Sequence, residues 1–133
     1  MKKVFTVGVF DILHVGHIKL FENAHKYGDW LIVAVQDTDT ILKYKPDTTI
    51  VNNNEIRHYM VGAIRFVDEV VTYKDVDEIV KKVDFDVFAV GEDQNHSGFQ
   101  RAAQWCKEHG RDVVVIPRTK GISSSFLRQR IDL

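Results

Sequence analysis

The sequence contains a single cysteine, two prolines and no long hydrophobic run. Because Cys106 has no partner within the chain, no internal disulfide can form, and we expect a reducing compartment and a core-facing helical thiol. No segment approaches the length of a membrane span, and the first residues do not follow the pattern of a signal peptide. We therefore expect a cytoplasmic protein with no membrane partner.

An excess of charge of one sign is also missing. The 18 lysines and arginines nearly balance the 19 aspartates and glutamates, which leaves a formal net charge of -1 and no broad basic surface for a nucleic-acid partner. Three common motifs are absent as well: the dinucleotide-binding G-x-G-x-x-G, the P-loop G-x-x-x-x-G-K-[ST] and the nucleophile elbow G-x-S-x-G. These absences argue against a nicotinamide dehydrogenase, a P-loop NTPase and a serine hydrolase of that type.

Segments typical of strands and of helices alternate along the chain. Short apolar runs rich in β-branched residues predict five strands, at 4–9, 30–35, 66–72, 86–90 and 112–116. Helical periodicity predicts helices at 16–27, from 54 to about 64 or 66, and at 75–83, 98–109 and 123–131, whereas the polar segment 36–53 is typical of a long loop. This pattern predicts one domain over 1–133, an α/β fold with a mostly parallel five-stranded sheet in a Rossmann-like three-layer α/β/α sandwich.

The segment 8–17, with the sequence G-V-F-D-I-L-H-V-G-H, follows the first predicted strand. His14 and His17 are three residues apart and share a face on the first turn of a helix, while Gly16 lets an anion approach the backbone. The helix start adds unpaired N–H groups and the positive end of the dipole. We predict a phosphate pocket here. Asp11 is expected to organise the turn by accepting backbone N–H bonds.

A second segment, 117–125 with the sequence P-R-T-K-G-I-S-S-S, follows the last predicted strand. Arg118 offers a forked donor that suits phosphate oxygens, and Gly121 permits a tight turn. The three serines can cap the closing helix, so a capped helix without a ligand is the simpler alternative. Since parallel strands end at the same edge of a sheet, we expect the segments 8–17, 36–53, 91–98 and 117–125 to gather there.

Together the two segments resemble the signatures of the cytidylyltransferase-like nucleotidyltransferases, G-x-F-D-x-x-H-x-G-H and R-T-x-G-I-S-[ST]-[ST]. The resemblance covers nearly the whole chain and is greatest to the bacterial glycerol-3-phosphate cytidylyltransferases. It implies that CMP passes from CTP to a small phosphorylated alcohol, with glycerol 3-phosphate the expected acceptor, and that pyrophosphate leaves. It further implies Mg²⁺ bound with the nucleotide, no metal held by the protein alone, a homodimer and a place in cell-wall or capsule biosynthesis.

The resemblance also assigns residues. Catalytic roles fall to His14, His17, Lys45 and Arg118. Nucleotide binding is expected of Gly8, Val9, Phe10, His14, Gly16, His17, Lys43, Lys45, Asp93, Arg118, Thr119, Gly121, Ile122, Ser123, Ser124 and Ser125. The segment 43–45 resembles the family's K-x-K pair, and 91–93 its G-x-D. Arg57 resembles the arginine of a family E-x-R motif, which leaves open whether it is a phosphate ligand.

The chain departs from the family pattern at three places. Val9 stands where a threonine or serine is common, and Gln94 stands where the closest relatives tend to carry tryptophan, which removes a base-stacking ring. No lysine in 73–82 is in register with the acceptor-contacting lysine of the glycerol-3-phosphate enzymes. Two alternatives therefore stay open: an adenylyltransferase that acts on a sugar phosphate, and a non-catalytic nucleotide-binding module.

Overall fold

The computed structural model describes residues 1–118, and every structural statement below concerns those residues. Five parallel strands form one sheet in the order β3-β2-β1-β4-β5. They are β1 (Lys3–Gly8), β2 (Trp30–Gln36), β3 (Glu69–Tyr73), β4 (Val87–Gly91) and β5 (Asp112–Ile116). The predicted five-stranded sheet is confirmed, and it is parallel throughout. The closing helix predicted at 123–131 lies outside the described residues.

Helices cover both faces of this sheet, as the sequence predicted. The helices are α1 (Val15–His25), α2 (Thr38–Tyr44), α3 (Asn54–Gly62), α4 (Val76–Ile79) and α5 (Ser97–Glu108). Residues of α1 and α3 pack into one buried cluster with the sheet, and residues of α4 and α5 pack into the other. The three layers follow from this division. No helix in the described part of the chain is long and apolar enough to span a membrane.

The core is built on the central strand β1. Its residues 4–7 are fully buried, and successive side chains point to opposite faces, so that Phe5 belongs to one cluster and Val4 to the other. The Phe5 ring stacks on Phe85 with centroids 4.9 Å apart, which ties β1 to the segment before β4. Cys106 is fully buried on α5, as predicted. Burial on both faces explains why the strands appear in the sequence as continuous apolar runs.

The prediction of a long loop over 36–53 is wrong in its first half, where the structure has the helix α2. Thr40 and Ile41 of α2 are buried, and this packing outweighs the low helix propensity of the aspartates and threonines around them. The helix α3 begins at residue 54, as predicted. Its cap is Asn53, whose side chain accepts a hydrogen bond from the Ile56 amide at 2.9 Å.

A crevice opens between β1 and β4 at the carboxyl edge of the sheet. The strand order changes direction there, because the chain leaves β1 through α1 on one face and leaves β4 through α5 on the other. The ladder between β1 and β4 pairs Val4 with Val87 and Phe5 with Phe88, whereas β1 and β2 stay paired as far as Gly8. In open α/β sheets, ligands bind at such a reversal point.

Candidate active site

The turn after β1 is set by Phe10 and Gly8. Phe10 has a left-handed backbone (φ 53°), a conformation that costs a non-glycine residue about 1–2 kcal/mol. Its ring is buried, lies 5.0 Å from the Phe21 ring of α1 and covers Gly8 so closely that a Cβ there would be 2.5 Å from Phe10 Cζ. Burial of this aromatic ring offsets the backbone strain. The chain therefore turns sharply and delivers the next residues to the edge of the sheet.

Two histidines cap the start of α1 in a reciprocal arrangement. The Gly16 amide donates to Nδ1 of His14 at 3.0 Å, and the His14 amide donates to Nδ1 of His17 at 3.3 Å. The two rings stack with centroids 3.9 Å apart. This is a capping box built from imidazoles in place of the usual serine and glutamate. The pairing confirms the predicted shared face and fixes both rings against the helix start.

The capping bonds determine the protonation of the two rings. Since each Nδ1 accepts a hydrogen bond, each neutral ring carries its proton on Nε2. Burial, with a smaller contribution from neighbouring His14, lowers the pKa of His17 to about 4. Burial and the nearby positive charge of Arg118 lower the pKa of His14. Near neutral pH both rings are therefore uncharged and present an Nε2–H donor, without repelling the cations of the site.

Arg118 approaches from the opposite side of the crevice, just after β5. Its Nη1 lies 3.1 Å from Oδ2 of Asp93, and its backbone amide donates to Oε1 of Glu92 at 2.9 Å. Both acids follow β4, so they bring the ends of two strands together. Arg118 and Asp93 are exposed, so this ion pair contributes little to stability but holds the guanidinium at the crevice.

These elements enclose a cleft of about 480 Å³, within the range of small-molecule sites. The described lining consists of 8–11, 14, 16, 17 and 20 after β1, 41, 45, 48 and 50 around α2, 91–94 after β4, and 116–118 at the end of β5. The predicted site residues in this lining are Gly8, Val9, Phe10, His14, Gly16, His17, Lys45, Asp93 and Arg118. Segments from four parts of the sequence therefore meet at one edge.

Other predicted residues are placed elsewhere. Lys43 is not part of the described lining; its Nζ lies 5.6 Å from the ring centroid of Tyr44. The lysines at 74, 81 and 82 are likewise outside the described lining. The predicted nucleotide-binding residues Thr119, Gly121, Ile122, Ser123, Ser124 and Ser125 lie outside the described residues.

Arg57 is held by the protein, outside the described lining of the cleft. It is fully buried, and its guanidinium donates to the carbonyls of Val9 and Gln36 at 3.1 and 2.7 Å, to the carbonyl of Asn52, and to side-chain oxygens of Thr38 and Asn54. It thereby joins the ends of β1 and β2 to the starts of α2 and α3, and in this environment it supports the cleft from behind.

Asp11 organises a more distant part of the chain than predicted. Its carboxylate accepts backbone N–H bonds, as expected, but the donors are Val51 and Asn52, both at 2.8 Å and forty residues further along the chain. The Asn52 side chain donates back to the Asp11 carbonyl at 2.6 Å. These bonds hold the segment after α2, including Ile50, against the cleft. No local spacing in the sequence indicates this contact.

Ile41, Thr48, Ile50 and Glu92 are among the described lining residues that were not predicted. The first three form the α2 side of the cleft, where apolar side chains stand beside Lys45. Glu92 lies next to Asp93 at a strand end, which is the one signal that singles it out. Ile41, Thr48 and Ile50 carry no such signal, because an isoleucine or threonine in a polar segment has no chemistry of its own to mark it.

The described residues contain no group of three metal-ligating side chains. Glu92 and Asp93 place two carboxylates in the cleft lining. Carboxylate oxygens suit Mg²⁺, which usually binds through one or two of them together with substrate phosphates. The donor set therefore fits a magnesium ion that arrives with a nucleotide, rather than one held by the protein alone.

The chain is similar to known proteins in both sequence and fold. The family model described as "Cytidylyltransferase-like" matches residues 5–130. The chain is 38% identical to a glycerol-3-phosphate cytidylyltransferase of Bacillus subtilis, in an alignment of 136 residues that covers 98% of each chain. It is 40% identical to an FAD synthase of Thermococcus kodakarensis, in an alignment of 117 residues that covers 86% of this chain and 77% of that one. A solved structure, a lipopolysaccharide core biosynthesis protein from Thermoplasma volcanium, is similar with a TM-score of 0.74 and 26% identity over 92% of this chain and 99% of that chain.

Proposed function

We propose that this chain, which belongs to the cytidylyltransferase-like family and is a nucleotidyltransferase, transfers CMP from CTP to glycerol 3-phosphate or a similarly small phosphorylated alcohol. The observation that carries the proposal is the pair of neutral, capped histidines that line a cleft at the reversal point of the sheet. The relative named glycerol-3-phosphate cytidylyltransferase, aligned over nearly the full length of both chains, supports the choice of nucleotide and acceptor.

The reaction exchanges one phosphorus–oxygen bond for another. A phosphate oxygen of the acceptor attacks the α-phosphorus of CTP, and the bond from that phosphorus to the bridging oxygen of pyrophosphate breaks. The leaving pyrophosphate takes the electron pair of that bond, and a CDP-alcohol forms. Because the attacking phosphate is already an anion near neutral pH, no side chain has to remove a proton from it.

His14 and His17 stabilise the charge that develops around the α-phosphorus. Their Nε2–H groups are donors at the start of α1, where the helix dipole also favours negative charge. Because the capping bonds fix both rings before the nucleotide arrives, little reorganisation is needed during the reaction. The removal of one such donor typically costs about 2.7–4 kcal/mol of barrier.

Lys45 and Arg118 supply the positive charge that a triphosphate requires. They line the cleft from different elements, Lys45 from the end of α2 and Arg118 from the end of β5. The Arg118 guanidinium can exchange its bond to Asp93 for a forked bond to phosphate oxygens. Mg²⁺, bound to the nucleotide and within reach of Glu92 and Asp93, would neutralise further phosphate charge.

Adenylyl transfer is the second candidate. It is favoured by the relative named FAD synthase, since the formation of FAD joins an adenosine phosphate to an acceptor phosphate. Gln94 weakens the case for CTP, because the glycerol-3-phosphate cytidylyltransferases tend to carry a tryptophan at this position and this chain has an amide. A nucleotide panel separates this candidate from CTP-dependent transfer.

The experiment that tests the proposal measures pyrophosphate release with Mg²⁺, each of the four common nucleoside triphosphates and a panel of phosphorylated alcohols and sugars. We expect release with CTP and glycerol 3-phosphate. The His17→Ala variant should lower kcat about 10²- to 10³-fold, and the exposed-site control His109→Ala should leave it unchanged.

The remaining outcomes are equally informative. Release with ATP and a sugar phosphate or a flavin phosphate would replace the first candidate with the second. CTP binding without release for any acceptor would favour a non-catalytic nucleotide-binding module. A His17→Ala variant with full activity would remove the chemical role of the capped pair.

A further inference from the structure

The side chain of Gln94 bridges the two strands that separate at the crevice. Its Nε2 donates to the carbonyl of Val7 at 2.8 Å, and its Oε1 accepts from the amide of Gly91 at 3.0 Å. Val7 lies near the end of β1 and Gly91 at the end of β4. The Gln94 amide also donates to the Gly91 carbonyl at 3.0 Å, which closes a turn that directs the side chain back toward β1.

The Val7 carbonyl and the Gly91 amide would bond directly to each other if the ladder between β1 and β4 continued. The register pairs Val4 with Val87 and Phe5 with Phe88, and its extension by two residues would pair Val7 with Val90. In a parallel ladder, a carbonyl accepts from the amide one residue beyond its partner, which for Val7 is the amide of Gly91. The amide group of Gln94 is inserted between these atoms and satisfies both of them. The side chain of Gln94 thus replaces one backbone hydrogen bond of the ladder and holds the two strand ends apart by the width of one amide group.

We propose that Gln94 is a positioning residue that sets the width of the active-site crevice. The loop after β1 carries His14 and His17, and the loop after β4 carries the acids that hold Arg118. Both loops line the same cleft, so the spacing of the strand ends fixes the distance between the histidine donors and the arginine. This inference rests on the proposed function, in which both sides hold one triphosphate.

The polar atoms of the Gln94 side chain are bonded to the backbone and are not offered to a base. Both ends of its side-chain amide are bonded to strand ends, and Glu92 and Asp93 beside it are bonded to Arg118. A misplacement of about 1 Å between reacting groups can cost on the order of 10²-fold in rate. The bridge therefore acts on the chemical step more than on the affinity for nucleotide.

The first test compares Gln94→Leu with Gln104→Leu, a control at an exposed site on α5. Gln94→Leu keeps the size of the side chain but removes both bonds. We expect kcat to fall about 10- to 100-fold while KM for CTP changes less than about threefold, and the control to behave as the wild type. Circular dichroism and thermal unfolding establish that each variant is folded.

The second test uses Gln94→Glu, which is nearly isosteric. An ionised carboxylate still accepts from Gly91 but repels the Val7 carbonyl, whereas a protonated one donates to that carbonyl and restores the bridge. The ratio of variant to wild-type kcat should therefore rise as the pH falls from 8 to 6. The ratio removes the pH dependence that both proteins have in common, because the other charged and ionisable groups of the cleft are the same in each: His14, His17, Glu92, Asp93 and Arg118.

A third measurement does not depend on activity. Hydrogen exchange of the Gly91 amide, followed by NMR, should be at least about tenfold faster in Gln94→Leu than in the wild type or Gln104→Leu, because the amide loses its acceptor. If the wild type turned over no substrate pair, the proposed function would fail, and this measurement together with CTP affinity would still test the bridge. Unchanged exchange with unchanged kcat in Gln94→Leu would overturn the inference.

Discussion

At the scale of single residues, the ring nitrogens of His14 and His17 divide into two sets. Each Nδ1 accepts a backbone N–H bond at the start of α1, and each Nε2 carries the proton that can be offered to a phosphate. The cap and the proposed chemistry therefore require the same uncharged form of the ring. Protonation of Nδ1 would replace the acceptor with a donor and break the cap.

This dependence predicts how stability changes with pH. The pKa of His17 is about 4 in the folded protein, against 6.5 for an exposed histidine in an unfolded chain, so the unfolded state binds more protons between these values. The free energy of unfolding should thus be fully retained above pH 6.5 and should decrease as the pH falls toward 4. Urea unfolding between pH 7.5 and 5 measures this slope.

The matched comparison for the pH dependence is His17→Ala against His109→Ala. The first variant lacks the titrating ring and should show a shallower loss of stability below pH 6.5, whereas the exposed His109 should leave the slope unchanged. Equal slopes in both variants and the wild type would mean that the ring of His17 titrates normally and that the cap does not hold it neutral.

Loss of the Arg57 guanidinium should lower the stability of the fold substantially. Replacement of Arg57 by methionine keeps an unbranched stem but removes the guanidinium. The buried carbonyls of Val9 and Gln36 then lack their donor, and the acids near it lack a countercharge. We expect a loss of about 3–5 kcal/mol in the free energy of unfolding. The exposed control Arg65→Met should stay within about 0.5 kcal/mol of the wild type. A small effect for Arg57→Met would show that this network is not needed for folding.

At the scale of elements, two glycines with opposite surroundings offer a direct comparison. Gly8→Ala places a Cβ 2.5 Å from the Phe10 ring and should cost about 1–3 kcal/mol, because the ring has to leave its packing against α1. Gly62→Ala, in the last turn of α3, brings its Cβ only to 3.4 Å from Val70 and should stabilise by about 0.4–1 kcal/mol. Urea midpoints measure both, and equal midpoints would contradict the tight turn.

Most elements of the described fold could be predicted from the sequence, because strands buried on both faces leave continuous β-branched runs and their helices leave one apolar face. The helix α2 could not. Its buried residues Thr40 and Ile41 are few, and the aspartates and threonines around them are common in turns. Whether such a segment forms a helix depends on the surface against which it packs, and that surface is distant in the sequence.

The same distinction applies to the site. His14, His17 and Arg118 were predictable because they stand at strand ends in a recognisable spacing. Asp11 bonds to Val51, which is 40 positions away, and Gln94 bonds to Val7, which is 87 positions away. No local pattern in the sequence encodes either contact. Sequence patterns therefore indicated which charged and polar groups line the cleft, while the contacts that position those groups required the fold.

At the scale of the whole molecule, we expect a homodimer, as the family resemblance implies. Three large side chains in and just before α3 are exposed in the single chain: Val51 by 62%, Ile56 by 45% and Tyr59 by 80%. Apolar side chains of this size are often covered in an oligomer. Sedimentation equilibrium at micromolar concentration should give a mass about twice the 15.3 kDa of one chain. A single species of 15.3 kDa would show that the chain works alone.

The central position of β1 has a consequence for how the chain folds as it is made. β1, β2 and β3 lie next to one another and are all complete by Tyr73, so we expect them to assemble early from contacts that are close in the sequence. The other edge of β1 has to wait for β4: Lys3 and Asp86, which are hydrogen-bonded, are 83 positions apart. During that interval a ribosome-bound chain exposes an unpaired apolar edge, where mispairing with another nascent chain is the main hazard and where a chaperone would protect it most.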